Sequence, residues 1–362
     1  MAIDKPARYD QPQTVNDELL IPPKVGEEVE LIPGTDEEVN IEMMEDGSAI
    51  VGEQERQIES GFDANLAEYL DDSSLGLISS DLLASYEEDL TSRKEWSETY
   101  TKGLELLGLK YNERTQPFAG ASGVTHPLLA ESVTQFQAQA YKELLPAGGP
   151  VRTQIIGKIT KAKEEQAERI KDYMNYQIMH VMNEFDPEVD QMLFYLPLAG
   201  STFKKIYYDD TLGRAVAKFV PADNLVVPYT ATDLEQSERV THVIKKSENE
   251  IRKLQVTGFY RDVDIQIYDG KDRITEQERK ISGVHKLGYS SEEYTLLEIH
   301  ANLDLPGFEN EDGIKIPYII TIDEGSGKVL SIYRNYKEDD NLFKKQEYFV
   351  HYKFLSGLGF YG

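Results

Sequence analysis

The chain has 362 residues, a formal net charge of −27 and no cysteine, which removes disulfides and thiolate zinc sites and fits a reducing compartment. A chain of this sign is a poor electrostatic match for nucleic acid, whose affinity comes mainly from Lys and Arg displacing counterions. The charge is lopsided: residues 1–90 hold 24 acidic and 4 basic side chains, leaving 41 and 34 for the rest, so the remainder is only mildly acidic.

The N-terminus MAIDKPARYD lacks the apolar core of a signal peptide. The longest apolar run, near Met192–Ala199, is far short of the roughly 20 residues a membrane span needs. The protein reads as soluble, without membrane attachment, and cytoplasmic in origin.

Residues 1–62 carry Pro22, Pro23, Pro33 and acidic runs with few aromatics, the composition of a largely disordered arm. From 63 to 200 the pattern is helical. Leu66, Tyr69 and Leu70, then Leu82, Leu83, Tyr86 and Leu90, then Leu104 to Leu109, recur at helical spacing. A small-residue loop, Gly120-Ala121-Ser122-Gly123, precedes a helix expected over 127–145, with Thr125 as cap and Pro127 in the first turn. Leu128, Leu129, Val133, Phe136, Ala140, Tyr141, Leu144 and Leu145 predict a buried stripe along it. A second long helix is expected over 158–185, highly charged in its first half and apolar at Ile170, Tyr173, Met174, Ile178, Val181, Met182 and Phe185. Asp186-Pro187 reads as its stop and as the start of a third helix, which breaks at Pro197 and Gly200.

From 201 to 362 the period changes to two. Strands are expected at Thr202–Tyr208 and Ala215–Val220, forming a hairpin, at Asn224–Pro228 and Val240–Lys246, at Tyr294–Leu305, Ile314–Ile322 and Val329–Arg334, and at Tyr348–Phe354. Ser247 and Glu250 make a capping box for a helix to Thr257, and Gly258 suits its left-handed end. The fold class read from these periods is α+β. The ending, aromatic residues between glycines, has the look of a chain interior and suggests truncation.

Candidate chemistry is sparse. Ser122 and His126 outline a serine hydrolase, but a nucleophile elbow needs Gly-x-Ser-x-Gly between strand and helix, and here the second glycine comes one residue early. The six histidines, His126, His180, His242, His285, His300 and His351, show no metal-ligand spacing, so neither metal nor cofactor is expected. Lys158, Lys161, Lys163, Arg169 and Lys171 are the one basic cluster and the candidates for a DNA-facing surface; Glu164, Glu165 and Glu168 among them predict intrahelical pairing instead.

Four long strings carry a resemblance. PFAGASGVTHPLLAESVTQFQAQAYKELLPAGGPVRT, FYLPLAGSTFKKIYYDDTLGRAVAKFVPADNLVVPY, ATDLEQSERVTHVIKKSENEIRKLQVTGFYRDV and the closing HYKFLSGLGFYG are similar to portal proteins of tailed bacteriophages, in particular the short-tailed enterobacterial phage group and its marine relatives. The resemblance implies a structural protein without an active site: a homo-oligomeric, commonly dodecameric, ring at one capsid vertex of the virion. Double-stranded DNA passes through it without sequence specificity. The terminase large subunit, the major capsid or scaffold protein and tail or neck adaptors dock on it. It also implies that this chain is mostly the α+β wing, with stem, clip and crown expected beyond Gly362. Another virion ring or adaptor protein is the rival within the same class.

Overall fold

The computed structural model describes residues 39–43, 49–53, 61–107, 118–120, 126–209, 212–267, 293–309, 313–356 and 359–361. The chain divides into two compact units, 1–58 and 59–362. In the first, β1 (Val39–Met43) pairs antiparallel with β2 (Ala49–Glu53), so the span expected to be largely disordered contains a strand pair; apart from Gly61 and Phe62, which belong to the second unit, the rest of that expected arm lies outside the described residues.

The second unit is α+β. A single turn, Leu66–Glu68, leads into α1 (Asp72–Ser92), which starts where the Asp71 carboxylate accepts the amides of Ser73 and Ser74. After a one-residue break at Arg93 comes α2 (Lys94–Leu107), then α3 (Leu128–Leu144), α4 (Lys161–Tyr176) and α5 (Phe185–Ala199). Two antiparallel sheets follow. One has order β10-β3-β4, from β3 (Ser201–Asp209), β4 (Arg214–Pro221) and β10 (Phe349–Lys353). The other runs β5-β6-β7-β8-β9, from β5 (Leu225–Val226), β6 (Arg239–Ser247), β7 (Glu293–Leu303), β8 (Ile316–Asp323) and β9 (Val329–Arg334). The expected strand Asn224–Pro228 shrinks to the two residues of β5. The capping box of α6 (Glu248–Val256) forms as expected, and Gly258 takes the left-handed conformation that ends the helix.

The layers follow from which face of each strand is covered. Leu297, Ile299 and Ala301 of β7 pack with Leu75, Leu82 and Tyr86 of α1. Trp96, Tyr100 and Leu104 of α2 pack with Phe203, Val220 and Leu225. On the far face of the smaller sheet, Phe219 and Tyr352 meet Val189, Met192 and Leu193 of α5, with Phe136, Ala140 and Tyr141 of α3 behind them. The open edge of β9 is closed by a side chain: the Asn65 amide donates to Leu330 O (3.2 Å) and its oxygen accepts from Ile332 N (3.0 Å), replacing a neighbouring strand.

Three helical expectations are corrected. The long helix over 158–185 is two helices. Thr160 caps α4 at its start, and after Tyr176 the chain widens into a π turn, Gln177–Val181, and leaves helical geometry at Met182 (φ −89°, ψ 73°). The unbroken apolar spacing through Phe185 hid this break. Asp186-Pro187 does not stop a helix; both lie in the first turn of α5, where an amide missing at Pro187 would have no partner anyway. Nor does the chain break at Pro197, since α5 runs to Ala199 and ends on left-handed Gly200 (φ 80°). The stripe on α3 is the third correction: only Val133 is buried, while Leu128 and Leu144 are 65% and 50% exposed.

The closing string is core. Phe360 and Tyr361 are 1% and 0% exposed, and the Tyr361 ring stacks on Trp96 with centroids 4.5 Å apart. Its hydroxyl donates to Leu225 O (2.8 Å) and accepts from Val227 N (3.2 Å) and Arg93 (3.3 Å). Gly359 permits this approach, because a Cβ there would lie 2.2 Å from the Tyr229 hydroxyl. Arg93, 5% exposed, also donates to the carbonyls of Ala222 (2.9 Å), Leu225 (3.3 Å) and Asp223 (2.8 Å). Replacing Arg93 by Met leaves those carbonyls without their donor and is expected to cost roughly 3–5 kcal/mol. The urea midpoint at unchanged slope measures it, and a loss below about 1 kcal/mol would show that the network does not hold the helix break to the closing segment.

Candidate functional site

Of the pair singled out for hydrolase chemistry, only His126 falls among the described residues. His126 is exposed at the entrance of α3, and the cap position there is Pro127, which makes no side-chain cap bond. Ser122 and the expected cap Thr125 lie outside the described residues, as does His285. His180 is exposed. Among the described residues no group of three His, Asp or Glu side chains is arranged to hold a metal ion, and no helix is long and apolar enough to cross a membrane.

The three interior histidines are instead structural partners. Glu298 and His300 project from β7 toward the smaller sheet, beside His242 of β6, the cross-strand neighbour of Glu298. Lys205 of β3 reaches across and binds Glu298 through both carboxylate oxygens, the longer contact being 2.6 Å. His300 Nε2–H donates to Glu298 Oε1 (2.9 Å), and His242 Nδ1 stands 4.0 Å from the same oxygen. Phe349 of β10 seals the joint, its ring edge-on to His242 (5.5 Å) and His300 (5.3 Å). The Lys205 ammonium therefore sits against the carboxylate that a metal ion would need. Burial alone would raise the Glu298 carboxyl, but the His300 hydrogen bond and the Lys205 charge hold it below the ordinary carboxylate range. Burial pushes His242 down to about 3 and lowers His300. His351, stacked on Phe203 and donating to the Ser201 hydroxyl (2.9 Å), is pushed down to about 4, again by burial. Nothing in the sequence separates this joint from a solvated strand face, because Glu298 and His300 alternate with apolar residues in either case.

Four residues of the basic cluster lie on α4, of which no residue is buried, and Lys158 precedes it. Among the described residues the expected pairing reduces to one cation: Lys171 meets Glu168 (3.9 Å) and Asp172 (3.5 Å), while Lys158, Lys161, Lys163 and Arg169 are exposed and make no ion pair. The second half of α4 shows the apolar stripe that its spacing predicts, but uncovered. Ile170, Tyr173 and Met174 are 45%, 63% and 44% exposed, and Ile156 and Ile159 ahead of them 93% and 62%. The helix is tied to the body near its end, where the Asn175 amide spans Val151, accepting its N–H (2.9 Å) and donating to its carbonyl (3.2 Å) beside left-handed Gly149. The site with a surface to offer is this arm.

No family model matches the chain, and no curated protein matches it.

The interior histidines set an acid limit. Their folded pKa values lie below the unfolded value of about 6.5, so the unfolded chain binds more protons as pH falls and stability is lost below that value. Between pH 6.5 and 4.5, in urea titrations, each of His242 and His351 is expected to remove up to about 1.4 kcal/mol per pH unit, and His242→Asn to flatten the slope. A midpoint unchanged from pH 7 to 5 would contradict neutral burial of these rings.

Proposed function

We propose that the chain is a non-enzymatic, structural subunit of a tailed-bacteriophage portal, mostly its wing. In this reading copies of the chain form a ring, commonly dodecameric, at a capsid vertex of the virion. DNA is packaged and ejected through the ring, and the terminase large subunit, capsid or scaffold protein and tail or neck adaptors dock on it. The observation that carries the reading is the uncovered stripe on α4. Apolar area of this kind on a projecting helix is a contact surface, and a face on one element meeting a different face of the next copy is the geometry that closes into rings. The resembling strings coincide with structural elements: they supply α3 and its closing turn, the end of α5 with β3 and β4, β6 with α6, and the buried Phe360–Tyr361 pair.

DNA contact through α4 is the weaker part of the original expectation. Between Lys161 and Tyr176 the four cations, Lys161, Lys163, Arg169 and Lys171, are matched by Glu164, Glu165, Glu168 and Asp172. An arm of zero net charge does not grip phosphates, which suits a conduit along which DNA must slide.

Native mass spectrometry of the chain, extended to its full-length product where that is longer, tests the reading. A ring is expected, and a persistent monomer at micromolar concentration would overturn it. Burying Ile170 or Tyr173 contributes roughly 1.5–3 kcal/mol each. The double variant Ile170→Asp, Tyr173→Asp should therefore raise the concentration needed for assembly at least about a hundredfold while leaving the monomer's melting temperature unchanged. In a salt titration of DNA binding, alanine at Lys158, Lys161, Lys163, Arg169 and Lys171 together should leave the slope unchanged; a drop of about 4–5 would restore the arm as a phosphate contact.

A further inference from the structure

The junction between arm and body holds a cation without a hydrogen-bond partner. Lys204 of β3 is 1% exposed, and among the described residues its ammonium makes no hydrogen bond. What lies against it is the ring of Phe185, the first residue of α5, at 3.9 Å from the ring centroid. Two carboxylates stand close enough to act on its charge, Glu188 and Glu184. Both are committed elsewhere. Glu184 holds Arg214 at 2.7 Å, and Glu188 accepts the outward amide of Phe219 on the β4 edge.

A ring face returns part of what water gives an ammonium, so the arrangement keeps the amine short of a full complement of partners although an anion is within reach. It sits beside the break in the helical run between α4 and α5. The π turn at Gln177–Val181 and the non-helical Met182 separate an arm with no buried residue from α5, whose Val189, Met192, Leu193, Leu196 and Ala199 are all buried. Breaks of this kind are where helices bend.

We propose that residues 177–184 are a hinge for α4, and that the seat of Phe185 on the Lys204 amine is its latch. In the described position the ring covers the amine and Glu184 is tied to Arg214. When the arm swings, Glu184 releases Arg214, Phe185 lifts, and Glu188 turns from the Phe219 amide to the amine, so that the ion pair missing from one position is made in the other. The device lies within one chain and does not depend on the portal reading; its test uses the unassembled chain and so fails or succeeds separately from ring formation.

Lys204 acylation by acetic anhydride at pH 8, read by peptide mass spectrometry, reports how often the ring lifts. Glu184→Gln removes the tie to Arg214 and is expected to speed that labelling about tenfold, while an exposed lysine such as Lys163 is unaffected. Lys204→Met fills the same space without the charge, and should slow hydrogen exchange of amides 177–188 by about fivefold and raise the melting temperature by a few degrees. Unchanged labelling in Glu184→Gln, or unchanged exchange in Lys204→Met, overturns the proposal. Loss of the fold in Lys204→Met would overturn it too, because the amine would then be a structural requirement rather than a latch.

Discussion

Arg93 ties together stretches far apart in the chain. It stands at the break between α1 and α2, and its guanidinium is spent on the carbonyls of Ala222, Asp223 and Leu225 and on the Tyr361 hydroxyl. The loop between β4 and β5 turns with no regular partner strand, so its carbonyls need donors from elsewhere. A planar fork with five donors can reach several of them at once, where an ammonium would act as a point charge. The same group lies 5.4 Å from the Trp96 ring centroid and 5.6 Å from that of Tyr361, so the aromatic stack supplies the negative faces its charge lacks. The direction of α2, the path into the larger sheet and the seat of the closing segment are consequences of one side chain.

The second constraint is the Lys205–Glu298 joint, and it differs in kind. Two sheets meet there through a buried ion pair, which by itself stabilises little, since desolvation offsets most of the attraction. What it supplies is register. Glu298 satisfies Lys205 and His300 together, and a slip of β3 that set Ile206 in the place of Lys205 would leave the carboxylate without its cation. The two adjacent lysines have opposite surroundings because successive side chains of a strand point to opposite faces: Lys205 finds a carboxylate, Lys204 a phenyl ring.

Local order was legible in the sequence. The capping box at Ser247 and Glu250 and the helix end at Gly258 depend on contacts within a few residues, β9 and the β3–β4 hairpin pair with the strand just before them, and each was readable from spacing and cap chemistry. What covers a face was not. The stripe Ile170, Tyr173, Met174 has the same spacing whether a core or open solvent lies beside it, and Glu298 with His300 alternate as they would on a wet strand. The interior joint was hidden for the same reason. Burial of His242 by Phe349 and the pairing of Glu298 with Lys205 arise from residues about 100 positions apart, while the Ser122–His126 and Lys158–Lys171 readings rested on sequence neighbours alone. The break at Met182 is a different case, because a π turn shifts the period by one residue and leaves the apolar spacing intact.

The interior and the arm set contrasting demands. In the body, even an open sheet edge has been given a surrogate strand in Asn65, and long-range polar groups converge on shared acceptors. On α4, a helix of 16 residues carries four large apolar side chains in the open, Ile170, Tyr173, Met174 and Tyr176, and is fixed near its end by the Asn175 amide. A helix of that length is marginal in water on propensity alone, and most helical stability comes from packing an amphipathic face. Among the described residues this face is bare, whereas the edge of β9 is covered by the Asn65 amide. The proposed hinge at its base would move Phe185 at the start of α5 while Val189, Met192 and Leu193, on which the body depends, stay in place.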